Sequence, residues 1–79
     1  MMNHSARSEH IKRTLKRCAL ELHPSGEFKH LAKKMILKTH AFSDWIRKGR
    51  VPRAKAEWLE ENFPGIARAS TLMDVGCGE

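Results

Sequence analysis

Apolar residues recur along this chain with a helical period, broken by proline and glycine. Ile11, Leu15, Cys18, Ala19 and Leu22 return at intervals of three and four, which gathers them on one helix face. The pattern predicts a first helix starting at about Ser8, with Ser8 or Ser5 as its cap and Arg13, Lys16 and Arg17 on the wet side. Residues 1–8 are polar and are expected to fray. The run His23-Pro24-Ser25-Gly26 stops the helix, because proline drives the residue before it out of the α region. A second helix is predicted over Glu27–Met35, capped by Ser25, with Phe28, Leu31, Ala32 and Met35 as its stripe. A third is predicted over Thr39–Lys48, capped by Thr39 or Lys38, with Phe42, Trp45 and Ile46 turned inward. Gly49 suits the left-handed residue that ends such a helix. Pro52 suits a first helical position, so a fourth helix is expected over Pro52–Asn62. Trp58, Leu59, the stem of Lys55 and Phe63 should face in, and Pro64-Gly65 ends the element. Beyond it the pattern weakens. Residues 66–70 are compatible with a helical turn, 71–75 with a short strand, and 76–79 read as disordered.

The expected architecture is therefore all-α, with four to five helices over residues 1–65 and a tail, 66–79, that is irregular or a short strand. Seventy-nine residues make one small domain. A domain of this size has a high surface-to-volume ratio and often leans on a second subunit. Fifteen Lys and Arg oppose nine Asp and Glu, giving a net charge of +6 and a pI of about 9.8. Such an excess draws a chain to phosphates, although it also serves solubility. Cys18 lies on the first helical stripe and Cys77 in the Gly-rich tail, too far apart in pattern for a disulfide scaffold. The five histidines (4, 10, 23, 30, 40) form no close Cys/His set, so no metal or other cofactor is expected. No apolar run is long enough to span a bilayer, and the first residues lack a secretory core, so a cytoplasmic protein is expected, with no membrane partner. No P-loop, nucleophile elbow or HExxH occurs, and Glu57, Glu60 and Glu61 share a short, wet helix; an enzyme is not expected.

The most telling stretch is Phe42-Ser43-Asp44-Trp45-Ile46-Arg47-Lys48-Gly49-Arg50-Val51-Pro52, a short basic helix with apolar anchors and an abrupt stop. Ala32 is small where two helices must cross, Leu31 and Met35 flank it, and Leu37 can plug the turn. Phe42 and Trp45 follow Ala32 by ten and thirteen residues. This spacing resembles the helix-turn-helix of the phage Cro and repressor family. The run from Trp45 to Pro52 resembles its YdaS-type antitoxin relatives, where an anchor and a basic stretch precede Gly-Arg-x-Pro and another helix. The likeness covers about Gly26 to Leu59. It departs from the pattern at Ile36, where the family usually has glycine, and at Phe28, where many members carry a phosphate-binding glutamine.

The resemblance implies that the exposed side of the third helix enters the major groove. Base-reading residues would then be Lys38, Thr39, His40, Ser43, Asp44 and Arg47. Lys38 or Arg47 would take guanine, Thr39 a thymine methyl, and Ser43 a base or phosphate. Asp44 would accept from cytosine or orient a neighbouring cation, and His40 would donate to a phosphate or a purine nitrogen. Lys29, Lys48, Arg50 and Arg53 would hold phosphates and set orientation, helped by backbone N–H groups at residues 26–28. The function implied is that of a phage or prophage transcriptional repressor. It would bind a palindromic operator in double-stranded DNA as a homodimer joined through Trp58, Ile66, Leu72, Met73 and Val75. A toxin or a host protein is a further partner the resemblance admits. Two other classes compete with this reading. One is a protein–protein inhibitor or antitoxin-like module on the same scaffold; the other is a sequence-blind architectural binder. In either, Lys12, Arg13, Lys16, Arg17, Lys33 and Lys34 are first of all a solvated basic surface.

Overall fold

The computed structural model describes residues 2–38 and 40–73, with side chains from Ala6 onward. Five helices follow one another: α1 (Met2–Leu22), α2 (Phe28–Met35), α3 (His40–Lys48), α4 (Arg53–Asn62) and α5 (Ala69–Leu72). No strand occurs among the described residues. The expected stripes form the core: Ile11, Leu15, Cys18 and Ala19 of α1 meet Leu31, Ala32 and Met35 of α2 and Phe42 and Trp45 of α3. α1 lies against both α2 and α3, and α4 pairs with α5. Val51, Ala56, Leu59, Phe63, Ala67, Ala69 and Leu72 extend the same core towards the C-terminal end.

Helix boundaries depart from the sequence expectation where side chains find other partners. Residues 2–8, expected to fray, are helical; α1 begins at Met2. Arg7 and Ser8 tie this extension down. Arg7 donates through Nε to the Gly49 carbonyl at 2.7 Å and through Nη2 to the Leu72 carbonyl at 3.4 Å. Ser8 is not a cap, because it lies inside α1 and its hydroxyl donates to the Ile46 carbonyl at 2.5 Å. The other cap candidate, Ser5, has its side chain outside the described residues. α2 is capped by Glu27 rather than Ser25: Glu27 has extended backbone angles and makes no side-chain cap bond. Ser25 instead forms a local turn, accepting the Glu27 N–H at 3.4 Å and meeting His23 Nδ1 at 3.0 Å. Pro52 stands one place before α4 as its N-cap, with φ −56° and ψ 145°, not at the first helical position.

The tail contains no strand over residues 71–73. Residues 69–72 form α5, held by Met73 N–H to the Ala69 carbonyl at 2.9 Å. This helix is sewn to the segment between α3 and α4, because Val51 N–H donates to the Leu72 carbonyl at 2.9 Å. Leu72 is consequently fully buried and is not spare dimer surface. Val75 and Cys77, like the expected disorder of 76–79, lie outside the described residues.

Candidate nucleic-acid interface

The chemistry of α3 follows from its periodicity. At 100° per residue, Phe42 and Trp45 fall on one side and His40, Ser43 and Arg47 on the other. Phe42 is fully buried and Trp45 is 7% exposed, while His40, Ser43, Arg47 and Lys48 are exposed. The two inner rings meet edge to face at 5.2 Å, and Phe28 of α2 meets Phe42 at 5.6 Å. Such pairs add about 0.5–1.5 kcal/mol each beyond burial, which fixes the roll of α3 about its own axis. The outer row is thereby held in one orientation by groups on the opposite side of the same helix.

The structure gathers most of the expected base-reading residues. Lys38 is exposed in the turn that leads into α3, and His40, Ser43 and Arg47 line the outer face. Asp44 is half-buried and accepts from Arg47 Nη2 at 2.6 Å. The pair is exposed enough that its net stabilisation is small, at about 0–1 kcal/mol. Its effect is geometric, since the carboxylate holds the guanidinium over the outer face. Thr39 lies outside the described residues.

The phosphate candidates divide into two kinds. Lys48 and Arg50 are exposed at the end of α3, with no ion-pair partner among the described residues. Lys29 pairs with Glu27 at 3.4 Å, and Arg53 with Glu57 at 3.2 Å. The expected anion nest at residues 26–28 is largely used internally. Gly26 N–H donates to the His23 carbonyl at 2.9 Å and Glu27 N–H to Ser25, and Glu27 itself carries a carboxylate, paired with Lys29. A phosphate there would meet occupied donors and a like charge. Phe28, standing in the glutamine position, is partly buried against the core, so it makes a packing contact there.

The turn between α2 and α3 holds the largest surprise. Ile36 takes left-handed angles, φ 57° and ψ 53°, and is 90% exposed. Its N–H donates to the Lys33 carbonyl at 3.2 Å, and Leu37 N–H reaches back to the Ala32 carbonyl at 2.9 Å. This is the double bond of a Schellman motif, and Leu37 tucks against the core as its apolar closure. The bond pattern demands a left-handed residue at position 36 whatever its side chain. Arg7 and Ser8 were the other residues missed by periodicity. Nothing in their neighbourhood signals that they bind carbonyls forty positions away, apart from a small hydroxyl and a guanidinium on one side of a helix.

Elsewhere, His23 stacks on His30 with ring centroids 4.1 Å apart, bracing the α1–α2 corner. A shallow groove on the outside of that corner is lined by Lys12, Arg13, Lys16, Arg17 and Phe28, and is the competing basic surface. Trp58 is only partly buried and leans edge-on against Phe63 at 6.2 Å. Ile66 and Met73 are also partly buried. No helix among the described residues is long and apolar enough to cross a membrane. No family model, curated protein or solved structure matches the chain.

Proposed function

We propose that this protein is a sequence-specific DNA-binding repressor of the phage or prophage type, with α3 lying in the major groove of its operator. The observation that carries this reading is the two-sided construction of α3. Phe42 and Trp45 are buried, while His40, Ser43, Arg47 and Lys48 stand in solvent on a helix of three turns or less, with Lys38 exposed in the turn before it. A rigid polar row of this length is suited to a few adjacent base edges. Arg47, steadied by Asp44, is the candidate for guanine, and Lys38 contacts the base or phosphate next to it. Lys48 and Arg50 hold the backbone. Lys29 and Arg53, each already facing a glutamate, make the weaker phosphate contacts.

One such module contacts few base pairs, so a two-fold dimer on a palindrome doubles both area and specificity. Trp58, Ile66 and Met73 at the α4–α5 end supply the remaining apolar surface for that contact. Repression is steric: a protein on the operator keeps polymerase off, and an operator upstream of the protein's own coding sequence makes the circuit autoregulatory.

The test is a gel shift, at fixed salt, with the duplex upstream of the coding sequence and a scrambled duplex of equal composition. The reading expects preference for the first, and relaxed specificity in Arg47→Ala by about 1–3 kcal/mol. Equal affinity for both duplexes, falling steeply with salt, would instead indicate sequence-blind binding. No duplex binding at all would leave the protein–protein class.

A further inference from the structure

Among the described residues, Ile36 is the one non-glycine residue with a positive φ, 57°. A β-branched side chain in the left-handed region is strained. At 90% exposure, packing does nothing to offset the strain. The other exposed large hydrophobic among the described residues, Leu20, has a local reason: it covers Gly26, whose missing Cβ would lie 2.7 Å from Leu20 Cδ2. Ile36 has no such reason among the described residues. Its surroundings are cationic. From residue 28 to residue 43 the sequence carries Lys29, Lys33, Lys34 and Lys38 and no acid. Lys33, Lys34 and Lys38 are all exposed.

We propose that Ile36 is a specificity-determining contact that packs on the C5-methyl of a thymine at the edge of the major groove. This rests on the repressor reading and adds one residue to its interface. The methyl is the one apolar group among the base edges of that groove, and it is flanked by phosphates. A lone apolar tip among lysines matches that arrangement. A protein partner would need a broader apolar patch than one side chain. Chain geometry fixes the reach. One residue, Leu37, separates Ile36 from Lys38, so their Cα atoms are at most about 7 Å apart, or roughly two base steps of ~3.4 Å. With the reach of the lysine stem added, the thymine lies within a few base pairs of the one met by Lys38.

The experiment selects duplexes from a random pool with the wild-type protein, then replaces each thymine by deoxyuridine, which lacks the methyl. Affinities are read by fluorescence anisotropy for wild type, Ile36→Ala and Ile36→Gly. Ile36→Ala keeps the strained position and removes the tip, whereas Ile36→Gly removes both. For wild type, one replacement weakens binding about fourfold, the loss of one buried methyl. Both variants bind the thymine duplex more weakly and ignore that replacement, while Ile36→Gly also melts higher. The inference is overturned if either variant matches wild type on every duplex, or if all three proteins lose equally at the same thymine. It is also overturned if Ile36→Ala loses binding to phosphatidylserine vesicles but not to DNA. If wild type selects no sequence at all, the repressor reading falls together with the inference. A retained preference that is blind to Ile36 sinks the inference alone.

Discussion

The ends of α2 and α3 are built alike and filled differently. Each closes with a residue in the left-handed region and a pair of backbone bonds running back into the last turn. At α3 the residue is Gly49, φ 76°, whose N–H reaches the Ile46 and Trp45 carbonyls, while Arg50 N–H also reaches Trp45. At α2 it is Ile36, φ 57°, with Lys33 and Ala32 in the corresponding places. Gly49 is buried and its carbonyl is held by Arg7. Ile36 stands in solvent. Glycine takes that backbone without steric cost, while isoleucine costs about 1–2 kcal/mol there. The α3 end is thus an internal joint optimised for stability. The α2 end keeps a strained, exposed apolar residue beside the proposed DNA-reading face, where strain and function tend to coincide.

Substitutions can break or sharpen this contrast. Trp45→Ala has the largest effect, because it empties the core under the α3 joint. It should lower stability by about 3–5 kcal/mol in urea unfolding, and DNA binding falls with the folded fraction. Arg7→Ala leaves the Gly49 and Leu72 carbonyls without their charged donor and should cost about 1–2 kcal/mol. Gly49→Ala should cost a similar amount, about 1–2 kcal/mol, from backbone strain alone. Ile36→Gly has the opposite sign, raising stability by about 1 kcal/mol in the same measurement. If Gly49→Ala and Ile36→Gly do not differ in sign, the contrast between the two ends is wrong.

The smallest effect at neutral pH concerns Cys18, buried on α1. Burial pushes its thiol up from 9.0 to about 12, with nearby Arg17 pulling the other way. The folded state holds the proton more tightly than the unfolded chain, so this stabilisation is complete below pH 9. It is lost as pH rises from about 9 through about 12. Iodoacetamide at pH 8 should accordingly label Cys18 only after denaturation, which mass spectrometry of the modified peptide checks.

Hydrophobic spacing made the inner half of the molecule legible. Ile11, Leu15, Phe42, Trp45 and Leu59 obey one period and end in one core, and Pro24, Gly49 and Pro52 interrupt it where the chain turns. Polar residues with distant partners were not legible. Arg7 and Ser8 looked like a frayed end because their acceptors are carbonyls of α3 and α5. Leu72 looked free because its covering partners, α4 and the segment around Val51, are distant in sequence. The outer face of α3 could be predicted as a set of residues. The Asp44–Arg47 contact within it is the expected alternative in which Asp44 orients a neighbouring cation, whereas the engagement of Lys29 and Arg53 with glutamates depends on rotamers that spacing does not specify. At Ile36 the resemblance marks a departure from the usual glycine, and the Schellman bonds of α2 impose left-handed angles on the isoleucine.

The central claim is that the outer row of α3 meets DNA, and amide chemical-shift mapping tests it most directly. The labelled protein would be titrated with its selected duplex at fixed salt. The account predicts shifts concentrated over residues 36–50, with the buried Phe42 and Trp45 amides moving less than those of Ser43 and Arg47. Shifts confined to the basic side of α1, at Lys12, Arg13, Lys16 and Arg17, with residues 38–48 unmoved, would contradict it.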